Sequence, residues 1–466
     1  MKVRPFALTL LALLSHSVYG QPLSVLASLD PAAEGTWRVT YEMSRPVSAL
    51  VFLRSRGDYR RASWTMYGEF VLDRIGQADR IRRRDDEPFD VVIAGLDPWS
   101  SNLEKEYTPF LRFSDGSVAM FTGQFTVGEP TTADAADFGD GADDMNTQFP
   151  GVGTLILAPG DYGQMIVDAE ITQGAAHVTL GEGEYVYYGG ADAIDTQTLT
   201  AVTDAAAPAW LREHLYESMA VTFDYYTRRL GPLPGEKPFM LTSYESLEGG
   251  RISFGGGVIG SQVAIQMGLG EKVEDNVDNR RFMARFFAHE SAHLWNNYRA
   301  VPDDGSYAWI HEGSAEAIAW LTLNHLGLDD PEAVRALFED SANECIESLP
   351  AGPLNDAGRR GDYGAYYVCG ATISLATHAL MRARGQDLFD FWRELIEISE
   401  ASNGTYTEAR YDAFLHELSP DVATRVRAIS REHIRDGYAA VSTLLERSGV
   451  ETSRNGDGKL EIAAMP

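Results

Sequence analysis

Cysteine is nearly absent from this chain: Cys345 and Cys369 are the only two in 466 residues. Neither has the neighbouring thiols that a thiolate-ligated zinc site needs. In an oxidising compartment the two can bridge, closing a loop worth roughly 3 kcal/mol in the chain-entropy model; two separate buried thiols are the alternative. Long apolar runs are missing too. Beyond the first residues nothing reaches about 18 uninterrupted apolar positions, so no membrane-spanning helix is expected. Positive charge is scarce, with 39 Lys and Arg against 68 Asp and Glu and a net charge of −29. That balance argues against nucleic acid and anionic membrane surfaces as partners. A negative field can favour basic or amine-bearing peptides, or serve only solubility. There is no internal repeat and no low-complexity linker, and nothing in the sequence bears on oligomeric state.

The chain opens with Met1-Lys2-Val3-Arg4 and an apolar run from Phe6 to Leu14, with permissive residues at Val18 and Gly20. Residues 1–20 therefore read as a secretory signal, and the mature protein is expected to be exported and soluble, periplasmic or secreted. The remainder is long enough for roughly two to four domains. From Thr36 to about Gly190 short alternating runs such as Trp37–Tyr41, Val47–Leu53, Val118–Phe121 and Thr154–Leu157 predict an antiparallel sandwich or saddle over 21–205. Within it, Glu129 to Asp144 is acidic, but its spacing does not match a calcium loop and a solvated loop is expected. The tail Asn455–Glu461 likewise reads as a turn. After Pro208 the period changes: Trp210, Leu211, Leu215, Met219, Phe223 and Tyr226 form a helical stripe.

The chemistry is concentrated in Phe286-Phe287-Ala288-His289-Glu290-Ser291-Ala292-His293 and Trp309-Ile310-His311-Glu312-Gly313-Ser314-Ala315-Glu316. His289 and His293 are four apart, so on a helix of about 3.6 residues per turn both rings leave one face and can grip one ion. Eighteen residues then intervene before Glu312, room for a loop and the start of a second helix whose carboxylate points back. Two imidazoles and a carboxylate are the set that leaves zinc an open fourth position for water, with Glu290 close enough to take its proton. Glu316, four residues on, is placed to accept the distal N–H of a ligand histidine, or is a solvated carboxylate. The remaining histidines lie singly on helical segments; His311 alone is near the metal.

His289-Glu290-x-x-His293, eighteen residues, then Trp309-x-x-Glu312-Gly313-x-Ala315 resembles the gluzincin metallopeptidases related to aminopeptidase N. The run His293-Leu294-Trp295-Asn296, with Arg299 and Pro302, is also similar to the glycyl aminopeptidase family of the same superfamily. The resemblance implies one zinc per chain held by His289, His293 and Glu312, with Glu290 as general base. It further implies an oxyanion-stabilising tyrosine in a Tyr-x-x-Gly-Ala frame, which Tyr367 fits, with Tyr363 and Tyr366 as neighbours. One departure stands out. Such aminopeptidases carry a Gly-Ala-Met-Glu-Asn strand whose glutamate holds the substrate amine, whereas here the region is Leu247 to Ile259, with Gly255 and Gly256 suited to a substrate-edge strand and no glutamate in frame. Either Glu248 or Glu245 replaces it, or nothing does.

The architecture implied is multidomain: an antiparallel β-sandwich or saddle over 21–205, a thermolysin-like α+β catalytic unit over 206–330, and a helical part over 331–466 completing the site. That last part reads as helices from Pro331, Tyr363, Asp387 and Thr407, then one from Pro420 to about Ser448. The expected function is hydrolysis of peptides, first as an aminopeptidase and second as an endopeptidase. A non-catalytic exported binding protein that keeps the fold is the rival from another class, against which the retention of Glu290 speaks. The same chemistry also serves esters and epoxides.

Overall fold

The computed structural model describes residues 23–130 and 152–466, except 56, 102, 104, 105, 182, 191, 192 and 234–236. The expected signal segment lies outside the described residues, as does the acidic stretch beyond Pro130; Glu129, at its start, pairs with Arg45.

Alternation of buried and exposed residues along Ser24–Asp30 and Trp37–Val47 puts one face of each strand into a common core. Six strands form the first sheet, in the order Ala176–Leu180, Val152–Leu157, Ser24–Asp30, Trp37–Val47, Phe89–Leu96 and Trp64–Met66. The expected antiparallel pattern holds in it with one exception: Ser24–Asp30 runs parallel to Val152–Leu157. A four-stranded sheet around Ala49–Phe52 and a five-stranded antiparallel sheet around Tyr185–Tyr188 complete the β domain. Trp37 sits at the centre of the core, its ring 5.1 Å from those of Phe110 and Tyr188. Buried beside this core is an ion pair, Arg60 to Asp79 at 2.8 Å, both side chains fully out of solvent.

A further five-stranded sheet has the order Ile194–Asp195, Thr200–Thr203, Phe239–Leu247, Gln262–Gly270 and Ile252–Ile259. Its first two strands precede Asp204, so it draws on both sides of the 205/206 division. The three central strands are parallel, and Ile252–Ile259 closes one edge in antiparallel register. Side chains of Gln262–Gly270 alternate between two environments. Val263, Ile265, Met267 and Leu269 enter the large core under the helices. Ala264 instead joins Phe121, Tyr185, Phe239 and Leu241 in a smaller cluster that glues the sheet to the β domain.

The predicted helices are present, with identifiable ends. Asn276 caps Val277–His293 by accepting the Asn279 N–H, and Asp330 caps Pro331–Ser348, which has proline at its first position. Where one helix was expected from Pro420 to Ser448 there are two, Pro420–Arg431 and Gly437–Ser448. The chain turns extended at Glu432, and Asp436 starts the second helix by capping Ala439. Gly437 then packs so close to the carbonyl of Ile346 that an added Cβ would lie 2.2 Å from it. Thr452–Arg454 and Leu460–Ile462 form a hairpin around the expected turn, where the Asn455 side chain accepts the Asp457 and Lys459 N–H groups. Among the described residues no helix is long and apolar enough to cross a membrane.

Trp309–His325 and Gly364–Arg382, the helices carrying Glu312 and Tyr367, cross at two glycines. A Cβ on Gly313 would lie 2.2 Å from Gly370, and one on Gly370 would lie 2.1 Å from the carbonyl of Trp309. The glycines of the Glu-Gly and Tyr-x-x-Gly-Ala motifs are therefore one packing contact, without which these helices could not approach closely enough to share a site. Cys345 and Cys369 are joined by a disulfide that ties Gly364–Arg382 to Pro331–Ser348.

Candidate metal centre and active site

The histidine helix, Val277–His293, is held from several directions before its ligands are considered. Met283, Ala284, Phe287, Ala288 and Ala292 are buried in the core. The Tyr226 hydroxyl donates to the Ala288 carbonyl at 2.9 Å. Arg285, one turn before His289, grips the buried carboxylate of Asp329 through two hydrogen bonds of 2.6 and 3.0 Å. Asp329 follows the glutamate helix, so this bidentate pair locks the two ligand-bearing helices together.

At their junction the Nε2 atoms of His289 and His293 lie 3.2 Å apart. Glu312 Oε2 is 3.5 Å from the first and 3.3 Å from the second. Among the described residues these three form the one group of His, Cys, Asp and Glu side chains whose ligand atoms cluster in this way, all within 4.8 Å of one another. Both rings are buried, and Glu312 Oε2 is out of water with no hydrogen-bond donor. A buried carboxylate oxygen without a donor is costly, and a cation among the three atoms removes that cost. The donor set therefore fits a metal ion.

The electrostatics agree. Burial alone would lower the His289 pKa, but the carboxylates of Glu312, Glu316 and Glu290 outweigh it and push the ring up to about 10. Burial would raise Glu312, yet its contacts with His289, His293 and His311 hold it well below the usual carboxylate range. The pocket is thus built to hold positive charge against a fixed negative one.

Glu290 is half-buried and stands outside the ligand set. Its charge contributes to the raised pKa of both His289 and Tyr367. The ring of Tyr367 lies 5.7 Å from that of His289, stacked at 21°, and is about one-third exposed. Burial, then the charges of Glu312 and Glu290, raise its pKa, so the phenol stays protonated at neutral pH and can donate. Of its neighbours, Tyr366 is buried and its hydroxyl oxygen accepts the Gly358 N–H at 3.0 Å; it borders the same cavity as Glu312 and Tyr367. Tyr363 is half-exposed on the wall of a cavity of about 530 Å³ that opens on Glu312 and Tyr367. Glu316 Oε1 stands 3.6 Å from His289 Nδ1, an electrostatic contact longer than a hydrogen bond.

The substrate-side residues are placed less simply. Ile252–Ile259 packs against the histidine helix, with Phe254 stacked on Phe286 at 4.5 Å. Gly256 pairs with Ile265 and so faces the helices with Phe254, whereas Gly255 pairs with Gln266 and faces the β domain. Both also border a cavity of about 510 Å³ on that second side, with Arg54, Glu106 and Tyr107. Glu248 lies exposed on the turn ahead of the strand, and no hydrogen bond or ion pair connects it to the triad. His311, quoted only as a neighbour of the metal from sequence, is buried with Nε2 3.5 Å from Glu312 Oε1. Asn296, read only as part of a family run, hydrogen-bonds the Nδ1 of His293.

No protein-family model matches this chain, and no curated protein does. Solved structures share its fold. An aminopeptidase N family protein from Idiomarina loihiensis superimposes with a TM-score of 0.66 at 12% identity, over 92% of this chain and 79% of that one. An M1 zinc metallopeptidase from Deinococcus radiodurans (TM-score 0.47, 13% identity, 89% and 93% covered) and native yeast LTA4 hydrolase (0.48, 9%, 92% and 67%) align more loosely. Those two carry no weight for the fold. The first, taken with the β domain, mixed sheet and helical part described above, shows that this chain shares the fold of that aminopeptidase N family protein.

Proposed function

We propose that this chain is an exported zinc-dependent peptidase that hydrolyses peptide bonds from the amino terminus. The observation that carries the reading is the convergence of His289 Nε2, His293 Nε2 and Glu312 Oε2, with the Tyr367 ring stacked on His289 and Glu290 next to His289 in the chain. One zinc ion per chain suits two imidazole nitrogens and a carboxylate oxygen, and when bound it supplies a water of lowered pKa and a polarised substrate carbonyl. Glu290 takes the proton from the attacking water as its oxygen bonds to the carbonyl carbon. It then passes that proton to the amine nitrogen as the C–N bond breaks. Tyr367 donates its O–H to the carbonyl oxygen while negative charge develops there. Gly256, lacking a side chain on the helix-facing side of the edge strand, lets a peptide backbone approach, with Gly255 beside it.

A second reading, cleavage of internal bonds, is favoured by one observation: Ile252–Ile259 carries no carboxylate to hold a free amine, and Glu248 stands off on the exposed turn. Incubation with peptides bearing free and blocked amino termini, read by mass spectrometry, separates the two. Stepwise loss of terminal residues from free peptides alone is expected; internal cleavage of blocked peptides would end the aminopeptidase reading. Export draws support from the Cys345–Cys369 disulfide, which belongs in an oxidising compartment. Its check is the amino terminus of the mature protein, expected near residue 20.

A further inference from the structure

We propose that Asn296 is a positioning residue of the metal centre: it selects which nitrogen of His293 is presented to the ion and ties that ring to the start of the glutamate helix. The inference rests on the zinc reading above. Asn296 Nδ2 donates to the main-chain carbonyl of His311 at 2.8 Å. A carbonyl only accepts, so this bond sets the amide's orientation and leaves Oδ1 facing His293, 3.0 Å from its Nδ1. Oδ1 also only accepts, so the His293 proton sits on Nδ1 and the Nε2 lone pair faces His289 and Glu312. Asn296 is fully buried, and water cannot take its place.

The amide arrives by a local irregularity. The histidine helix passes at His293 into a π-helical turn, Leu294–Arg299, of the kind that recurs at functional sites. Trp295 anchors that turn by donating Nε1–H to the Gly231 carbonyl at 2.8 Å. Because His311 immediately precedes Glu312, one carboxamide holds the ring of one ligand and the backbone beside another. The two ligand histidines are therefore supported differently: His293 by a hydrogen-bonded neutral amide, His289 by the Glu316 carboxylate at 3.6 Å.

The test compares Asn296→Leu, similar in size and without polar atoms, with Asn296→Asp, which keeps an acceptor but loses the N–H. Zinc affinity is measured by competition with a chromophoric chelator, with circular dichroism and thermal melting reporting the fold. Asn296→Leu is expected to bind zinc about 10–100-fold more weakly, and Asn296→Asp to recover most of the loss. Wild-type affinity in a folded Asn296→Leu protein overturns the proposal. Should that variant fail to fold, ¹⁵N histidine spectra of the wild type decide: a proton on Nδ1 of His293 is expected, and a proton on Nε2 overturns it. A wild-type protein that binds no zinc would overturn the functional reading and this one together. Zinc binding indifferent to Asn, Asp or Leu at 296 would overturn only this one.

Discussion

Two groups of buried charge, one in each half of the molecule, are built on opposite principles. In the β domain Arg60 is closed on itself: it pairs with Asp79, donates to the Tyr59 hydroxyl and the Gln124 carbonyl, and lies 3.8 Å over the ring of Phe52. Its opposite charge is already inside the fold. In the other half His289, His293 and Glu312 turn acceptor atoms toward one point, and Glu312 Oε2 has no donor. In the first arrangement the charges are matched from within, although the buried Arg60 Nε has no acceptor, whereas in the second a carboxylate oxygen and two imidazole nitrogens converge where a cation fits. Burial of charge by itself says little about function; what decides is whether partner and counter-charge are supplied from within.

The comparison predicts that damage to the two groups separates cleanly. The largest effect belongs to the open group. Glu290→Gln should cut peptide hydrolysis by about a hundred- to ten-thousand-fold while leaving zinc content and melting temperature unchanged, as read by turnover assays, elemental analysis and calorimetry. Asp79→Ala does the reverse. It strands a fully buried guanidinium and should cost about 3–5 kcal/mol in denaturant unfolding, with one zinc still bound per folded chain. Comparable loss of metal in that variant would erase the distinction drawn here. Tyr367→Phe should slow turnover by about a hundred- to a thousand-fold, with little change in zinc affinity, because the phenol acts on the oxyanion and not on the ion.

The smallest effect sharpens the comparison with a third buried group. His378, in the Tyr367 helix, accepts the Leu388 N–H at Nδ1, and burial pushes its pKa down to about 4 from 6.5. Above the ordinary value the ring is neutral both folded and unfolded. As pH falls from there toward 4, the unfolded chain takes up a proton that the folded one refuses, so stability is lost. The contribution amounts to about 2–3 kcal/mol between pH 7 and 4.5. Urea unfolding at those two pH values should show a smaller acid loss in His378→Gln than in the wild type, and equal losses would place the acid sensitivity elsewhere.

Much of the site was legible because it is short-range. Histidines four apart share a face on any helix, and Glu312 heads a helix whose start is marked by the sequence around it. Tyr367 over Tyr363 and Tyr366 was a weaker inference from its motif frame, and all three line one cavity with Glu312. Other features depend on partners remote in the chain. Nothing local announces that Ser24–Asp30 lies parallel to Val152–Leu157, since strand patterns carry no direction. Beyond the break at Glu432, Gly437 packs against the Ile346 carbonyl in another helix, a contact the local sequence does not announce. The role of Asn296 depends on a π-turn and on a backbone carbonyl fifteen residues away.

Sequence alone therefore determined which residues could hold a metal and which one could move a proton, because helical periodicity and side-chain chemistry are local properties. Only the tertiary structure decided that two helices approach through Gly313 and Gly370, that Gly255 and Gly256 face opposite sides of their sheet, and which nitrogen of His293 is offered. Those outcomes are contacts between distant segments, and their energies exist only once the segments have met.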